Sequence, residues 1–367
     1  MRNFECLISA DSHMTEPLDL WAKALGKKLG ERTPRVVEEY DGLKGRFFFT
    51  GSRAIRLGER EKARAAIRSS ELEDAGFIPA ARVSYQQQEG IQAEVLNPTD
   101  MMHILQERDR DLVRACCEVY NDWLAEFCSY NPERLLGVAL TPIEDVNWAQ
   151  AELQRTWKKG LRGGPMINLE PPEGFPPYHH AYYDPFWSLV QELDMPLMLH
   201  SITGRVRDPF HFTTPEDLQR TGRGLFLLMG EIMGVLSDEF IQGGILDRFP
   251  RLKLICAEFE ISWLPWFLGE LDGHTLAIAR RQGRTMPKRI PPSEYVKTNI
   301  WASFIDDPFA KNIIPLVGAD RIVWGTDFPH PRLPMGAQEF AANFLKGLPR
   351  HDQEKVVGGN AASLWSL

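Results

Sequence analysis

The sequence predicts a single α/β domain in which eight parallel strands close into a (β/α)8 barrel of the TIM type. Eight short and almost continuously apolar runs recur along the 367 residues, and helical stretches lie between many of them. Gly, Pro, Asp or Asn close these runs, as expected for buried strands whose sheet is covered by helices on both faces. An open doubly wound sheet is the alternative architecture.

The candidate strands are residues 6–13, 90–99, 134–143, 161–168, 196–201, 252–258, 296–303 and 321–327. The clearest helix is predicted at residues 107–129, where Leu112, Cys116, Tyr120 and Phe127 recur at helical spacing. Strands that alternate with helices in this way favour a parallel barrel, and a chain of this length is common for one such domain. We therefore assign residues 1–367 to one domain.

Two segments interrupt the alternation of strands and helices. Residues 33–79 contain the hairpin-like stretch RFFFTGSRAIRL and then a charged helical run, so we expect an insertion over one end of the barrel. Residues 204–224 are polar and follow the fifth strand, where they would form either a lid over the barrel mouth or a plain surface loop.

Composition excludes several functional classes. The chain is 43% hydrophobic and 25% charged, which rules out intrinsic disorder. Its formal net charge of -8 argues against nucleic-acid binding, which needs a basic surface, but leaves room for a small-molecule substrate. Five scattered cysteines without a CxxC pair suit a reducing compartment. With no signal-peptide pattern and no apolar run of the ~20 residues that span a bilayer, a cytoplasmic protein without membrane contact is expected.

Ligand-type side chains stand where apolar strands end. Asp11 and His13 are two residues apart in the first strand and share one face, and His200, Glu258 and Asp327 end the fifth, sixth and eighth strands. The carboxyl ends of barrel strands converge on one face. Imidazole and carboxylate groups there are the ligands that zinc, manganese or ferrous iron takes.

Each of these residues alone has an ordinary explanation. A lone Asp-x-His can be a satisfied polar pair, a lone strand histidine is usually hydrogen-bonded within a core, and single acids cap helices. Five such residues at one end of a barrel favour the metal site, because unpaired acids at the ends of apolar strands would be costly to bury.

Four motifs in this order resemble the amidohydrolase-2 branch of the amidohydrolase superfamily, which includes the aminocarboxymuconate-semialdehyde decarboxylase-like enzymes. They are ADSHMTEPLDLW, PLMLHS, EFEISWLPWFL and VWGTDFPHP. The resemblance implies a metal-dependent (β/α)8 barrel. It also implies that Asp11 and His13 form the first-strand ligand pair, that His200 is the fifth-strand ligand, and that Asp327 is the eighth-strand ligand and proton carrier.

The chain departs from that family at two positions. Its first-strand pair is Asp-x-His where many members have His-x-His or Glu-x-His, and Glu258 stands where the decarboxylases usually have a catalytic histidine. Three carboxylates around one divalent ion leave a charge of minus one, whereas two ions leave plus one, which a hydroxide neutralises. We therefore expect one divalent ion, and we suspect that Glu258 binds a second ion or is an acid with a raised pKa.

Hydrolysis of an ester, thioester, lactone or amide is the reaction that the sequence favours, with a metal activating water. Asp327 would carry the proton, and Glu258 would be a ligand or share the role of base. His330 would stabilise an oxyanion, although a loop histidine between two prolines is the simpler explanation. Arg205 and Arg207 would pair with a substrate carboxylate, although solvated loop arginines are the simpler explanation.

Two other functions are kept as alternatives. One is non-oxidative decarboxylation of an aromatic or muconate-like acid, in which Glu258 could donate a proton only when protonated. The other is a barrel that binds a ligand without turnover, in which the five polar residues would pair with one another. His211 would contact substrate if residues 204–224 close over the mouth. A homodimer is expected, since symmetric dimers are common and the resembled family often forms them.

Overall fold

Eight parallel strands form one nearly closed barrel in the computed structural model, as the sequence predicts. The structure describes residues 4–57, 74–203, 222–283, 291–330 and 336–367. The barrel strands are β1 Ile8–His13, β5 Ala93–Asn97, β6 Leu135–Leu140, β7 Gly164–Met166, β8 Pro196–His200, β9 Lys253–Ala257, β10 Ile300–Phe304 and β11 Ile322–Trp324. These eight strands pair side by side in the order just given. Every residue of β5, β6, β8 and β10 is buried.

The last strand comes directly against the first just beyond β11. The backbone N–H of Asp327 donates to the carbonyl of Asp11 at 2.9 Å, and the N–H of His13 donates to the carbonyl of Phe328 at 2.6 Å. Gly325 permits this approach, because a Cβ atom there would lie 2.5 Å from the Cβ of Asp11. The closure therefore places the polar ends of the first and eighth strands side by side.

Helices surround the barrel. Those preceding β8 are α1 Leu20–Leu29, α2 Pro79–Glu89, α3 Met101–Leu105, α4 Arg110–Ser129, α5 Val146–Lys158 and α6 Asp184–Glu192. Those following it are α7 Gly222–Gly234, α8 Ile245–Arg248, α9 Leu264–Gln282, α10 Ser293–Asn299, α11 Ala310–Val317, α12 Ala337–Phe344, α13 Arg350–Glu354 and α14 Asn360–Trp365. Short 3-10 turns occur at Gly30–Arg32 and Ala181–Tyr183, and π-helical turns at Val235–Ile241 and Lys355–Gly359.

Helix α4 confirms the helix predicted at 107–129, with a later start. The side chain of Asp109 accepts a hydrogen bond from the N–H of Leu112 at 3.1 Å, which satisfies a free donor of the first turn and begins the helix at Arg110. Leu112, Cys116, Tyr120 and Phe127 are buried, as their spacing predicts.

The strand predicted at 296–303 is wrong in its first half. Residues Ser293–Asn299 form α10, and the strand begins at Ile300. Two consecutive prolines precede the helix, and the side-chain amide of Asn299 donates to the carbonyls of Pro250 and Leu252 at its end. The buried helical residues Tyr295 and Val296 supplied the apolar run that suggested a strand.

The insertion contains an antiparallel sheet of three strands, β2 Arg35–Tyr40, β3 Leu43–Phe49 and β4 Ala54–Arg56. Asp41 and Gly42 both have positive φ angles, 52° and 75°, as a tight two-residue hairpin requires. The charged run at 58–73 lies outside the described residues, as do residues 204–221 of the predicted lid. The last residues of the predicted lid range open α7.

No helix in the described part of the chain is long and apolar enough to cross a membrane.

Candidate metal centre

The barrel brings together the five residues that the sequence singles out. Asp11 and His13 lie on β1, and His200 ends β8. Glu258 directly follows the end of β9, and Asp327 lies shortly after the end of β11. Asp11, His13 and His200 are fully buried, and Asp327 is almost so. The convergence of strand ends that the barrel fold requires is therefore present.

His13 and His200 both direct Nε2 toward Asp11 and hold Nδ1 against a backbone carbonyl. The Nδ1 of His13 lies 2.7 Å from the carbonyl of Pro98, and the Nδ1 of His200 lies 3.0 Å from the carbonyl of Ser201. A carbonyl only accepts, so Nδ1 carries the proton in each ring and the Nε2 lone pair of the neutral ring is free. Within the described part of the chain, both buried Nε2 atoms lack a hydrogen-bond partner. Histidines that bind metals are held in this way.

Two overlapping groups of side chains have the spacing of a cation site. Asp11, His13 and His200 offer ligand atoms that all lie within 4.8 Å of one another, and so do His13, Asp327 and His330. His13 is common to both groups, and its Nε2 lies 3.6 Å from Asp11 Oδ1 and 3.3 Å from Asp327 Oδ1. One divalent ion beside this nitrogen can therefore reach carboxylates from both the first and the last strand.

The carboxylates demand positive charge at this position. Burial alone would lower the pKa of His200, but the hydrogen-bonding and charge effects of Asp11, with Glu258, raise that pKa to about 9. The His200 Nε2 to Asp11 Oδ1 distance is 3.5 Å, which is long for a hydrogen bond, so we attribute the effect mainly to charge. Burial would raise the pKa of Asp11, yet His200, His13 and Asn97 bring it below its usual value. A bound cation would satisfy both effects.

Residues on two other barrel strands orient Asp11. The side-chain amide of Asn97 donates to Oδ1 at 2.9 Å, and the hydroxyl of Ser303 donates to Oδ2 at 3.3 Å. Asn97 ends β5, the strand paired with β1, whereas Ser303 lies in β10, two strands from β1 on the other side. Neither residue is predictable from the sequence, because an amide and a hydroxyl at a strand end carry no distinctive pattern.

His330 contacts the candidate metal ligands. Its Nδ1 is 2.8 Å from Asp327 Oδ1, and its Nε2 is 3.3 Å from the hydroxyl of Thr99. Its ring also lies over His13, with centroids 4.4 Å apart. Burial, followed by the charges of His330 and His200, holds the pKa of His13 well below its usual value, which favours the neutral ring that a metal needs.

Glu258 lies at the edge of the cluster. Its Oε2 accepts a hydrogen bond from the hydroxyl of Ser201 and is 3.6 Å from His200 Nδ1. Neither cation-spaced group found among the described residues includes it. Burial and the negative charge of Asp327 raise the pKa of Glu258. The geometry thus favours the raised-pKa form of our hypothesis over a ligand for a second ion.

Glu258 and Asp327 share an uncommon backbone conformation, with φ angles of 62° and 56°. Non-glycine residues at such angles carry strain that the surrounding structure must compensate, and they cluster at functional sites. Here the N–H of Glu258 donates to Ser303 Oγ at 3.1 Å, while that of Asp327 donates to the carbonyl of Asp11.

A buried ion pair supports the first strand from behind. Arg82 of α2 donates to Glu94 of β5 at 2.6 Å and to the carbonyl of His13 at 3.0 Å. Ser12 Oγ also donates to Glu94, at 2.8 Å. Both members of the pair are fully buried. An acid inside the apolar run at 90–99 is the sequence signal for Glu94.

Arg205, Arg207 and His211 lie outside the described residues, so their roles remain predictions.

The profile of the family described as "Amidohydrolase" matches residues 20–367. The gamma-resorcylate decarboxylase of Polaromonas sp. (strain JS666 / ATCC BAA-500) is 27% identical over 259 residues, which cover 67% of this chain and 75% of that protein.

Two solved structures share the fold. An amidohydrolase of Mycobacterium avium subsp. paratuberculosis K-10 superposes with a TM-score of 0.74 at 20% identity over 100% of both chains. The dihydroxybenzoic acid decarboxylase of Polaromonas sp. JS666, solved with manganese and the inhibitor 2-nitroresorcinol, gives a TM-score of 0.64 at 22% identity over 99% and 97%.

Proposed function

The chain belongs to the amidohydrolase family, and from that premise we propose that it is a metal-dependent, non-oxidative decarboxylase of a hydroxylated aromatic acid. The observation that carries the proposal is the Asp327–His330 pair, an acid–base couple placed against the candidate metal ligands. The similarity to a gamma-resorcylate decarboxylase supports it. Hydrolysis, which the sequence favoured, has no such support and takes second place.

Four side chains would hold the ion: Asp11, His13, His200 and Asp327. When bound, a divalent cation supplies a charged anchor for the substrate carboxylate and an adjacent oxygen, and it stabilises negative charge as carbon dioxide leaves. Manganese is the first choice, since the Polaromonas structure contains it. Zinc and ferrous iron remain alternatives from the ligand types alone.

Decarboxylation needs one proton for the carbon that loses carbon dioxide, and we propose that the Asp327–His330 pair holds it. The hydroxyl of Thr99 donates to the carbonyl of Met14 at 2.6 Å, so at its contact with His330 Nε2 it must accept. Nε2 then carries the proton of the neutral ring. The 2.8 Å contact between His330 Nδ1 and Asp327 Oδ1 requires a further proton. We assign that proton to the reacting carbon, with Asp327 as the group that delivers it.

Glu258 completes the charge balance in this account. Burial and the charge of Asp327 raise its pKa, and a protonated Glu258 would remove one of the three negative charges counted from the sequence. Two carboxylates and one divalent ion then balance without a second ion, and the extra proton of the Asp327–His330 pair leaves one positive charge to offset the substrate carboxylate. A protonated Glu258 can also donate a hydrogen bond toward a bound anion.

The test is carbon dioxide release by the manganese-loaded protein from a panel of benzoates with and without a hydroxyl beside the carboxylate. We expect release only from the hydroxylated acids, and its loss in Asp327→Asn. Aryl esters and thioesters, assayed in parallel, should not be cleaved. Ester cleavage without carbon dioxide release would establish the hydrolase instead, and tight binding of the acids without turnover would establish the ligand-binding barrel.

A further inference from the structure

We infer that Gln106 is a positioning residue for the metal ligand His200, and that it connects the inserted antiparallel sheet to the metal centre. The inference rests on the proposed metal-dependent function. Gln106 follows α3, far from His200 in the chain, and no motif marks it.

The turn at residues 201–203, directly after β8, controls two groups of the site. The carbonyl of Ser201 accepts the Nδ1 proton of His200 at 3.0 Å, and this contact fixes which ring nitrogen faces the ion. The hydroxyl of the same residue donates to Glu258. A displacement of Ser201 would therefore disturb His200 and Glu258 together.

This turn is strained and must be held from outside. Ile202 has a φ angle of 69°, a conformation that is an outlier for a β-branched residue. Such strain persists only where neighbouring contacts compensate for it. The hydroxyl of Thr203 donates to the carbonyl of His200 at 2.8 Å, and the N–H of Leu169 donates to the carbonyl of Thr203 at 3.2 Å. These contacts secure both ends of the turn but not the carbonyl of Ile202.

Gln106 supplies the contact to that carbonyl. Its Nε2 donates to the carbonyl of Ile202, while its Oε1 accepts from Nη2 of Arg53 at 2.6 Å. Only one orientation of the amide satisfies both neighbours, because the reverse would set two donors and two acceptors against each other. The guanidinium of Arg53 thus fixes the direction in which the Gln106 amide donates.

Arg53 is itself anchored. It lies next to β4, and its Nη2 also donates to the carbonyl of His103 at 3.0 Å. The turn just before Arg53 is held by the buried Glu107, whose carboxylate accepts hydrogen bonds from the hydroxyls of Thr50 and Ser52. The inserted sheet, Arg53, Gln106 and the turn at 201–203 therefore form one continuous set of contacts ending at His200.

Manganese binding to the metal-free protein tests this inference. Gln106→Met removes both contacts, and Gln106→Glu keeps the partner of Arg53 but cannot donate to Ile202. We expect both variants to bind manganese about tenfold more weakly, the effect typical of lost support for a ligand. The matched control is Gln353→Met, which removes a glutamine contact of the same kind, to the carbonyl of Leu348 at 2.8 Å, away from the site. It should bind manganese like the wild type.

A merely structural role would lower the melting temperature of the Gln106 variants without changing their manganese affinity. That result overturns the inference, as does an affinity loss confined to one of the two variants. Should Gln106→Met not fold, the nearly isosteric Gln106→Glu decides alone. A wild type that binds manganese yet releases no carbon dioxide would remove the proposed reaction and leave this inference standing. A wild type without manganese affinity would remove both.

Discussion

His13 and His200 meet edge to face, with ring centroids 5.0 Å apart, and both direct Nε2 toward the same oxygen of Asp11. Each ring is fixed in this orientation by a backbone carbonyl at its other nitrogen. A pair of buried lone pairs facing a carboxylate is stable only with a cation or a proton between them. This relationship is the physical basis of the proposed metal centre, and its consequences can be measured.

Ser303 should tune the metal site through Asp11. Ser303→Ala removes a hydrogen bond to Asp11 Oδ2 and leaves the N–H of Glu258 without that acceptor. We expect about tenfold weaker manganese binding and a loss of about 1–2 kcal/mol in the free energy of unfolding. Manganese titration and urea denaturation measure the two effects. Thr156→Val, which removes a buried hydroxyl in α5, should change stability but not affinity, and equal affinities in both variants would contradict the role of Ser303.

The proton assignment makes His330 essential for turnover and dispensable for metal binding. His330→Phe keeps a ring beside His13 but removes both nitrogens. The rate of carbon dioxide release should fall about 10²- to 10⁴-fold, the range for a lost acid–base group. Metal analysis of the same preparation separates this effect from loss of the ion. A variant with full manganese content and wild-type turnover would contradict the assignment.

Glu258 should not be needed to retain the ion. Because it lies outside both cation-spaced groups of the described residues, we expect one manganese per chain in the wild type and in Glu258→Gln. Elemental analysis after dialysis measures the ratio. Two ions in the wild type, with one lost in the variant, would instead support the two-metal form of our hypothesis.

Glu16 should make stability depend on pH. It is buried and accepts hydrogen bonds from the N–H groups of Thr99, Asp100 and Met101. Burial and the charge of Asp100 nevertheless raise its pKa to about 7, from an ordinary value of 4.5. The native state thus keeps a proton that the unfolded state releases. The stabilisation is complete below about pH 4.5 and is lost as the pH rises through 7.

The difference in pKa corresponds to about 3 kcal/mol in the free energy of unfolding. Denaturation of the wild type and Glu16→Gln between pH 4.5 and 8 isolates this contribution, because the other titrating groups are common to both. The variant should show a flatter decline with pH. If the free energy of unfolding fell equally with pH in the wild type and in Glu16→Gln, Glu16 would have the same pKa in the folded and the unfolded state.

The strand ends were predictable because a parallel barrel imposes a regular rule on the sequence. An apolar run ending in His200, or Asp11 and His13 on alternate positions, identifies both the strand and the catalytic face. The segment at 296–303 shows the limit of the same reasoning, since a short buried helix and a buried strand present similar apolar residues.

The supporting residues could not be predicted in the same way. Thr99, Ser303 and Gln106 act through hydrogen bonds between segments distant in the chain, and their residue types are common at surfaces and strand ends. Positive φ angles at Ile202, Glu258 and Asp327 likewise depend on contacts made only after the barrel closes. A single sequence contains no periodic signal for either feature.

Anomalous diffraction at the manganese edge, from crystals of the manganese-loaded protein, tests the central claim most directly. We predict one peak at the barrel mouth, within direct coordination distance of Nε2 of His13 and of His200 and of oxygens of Asp11 and Asp327. A peak elsewhere, or these side chains joined only by hydrogen bonds to one another in manganese-soaked crystals, would contradict the metal centre and the decarboxylation derived from it.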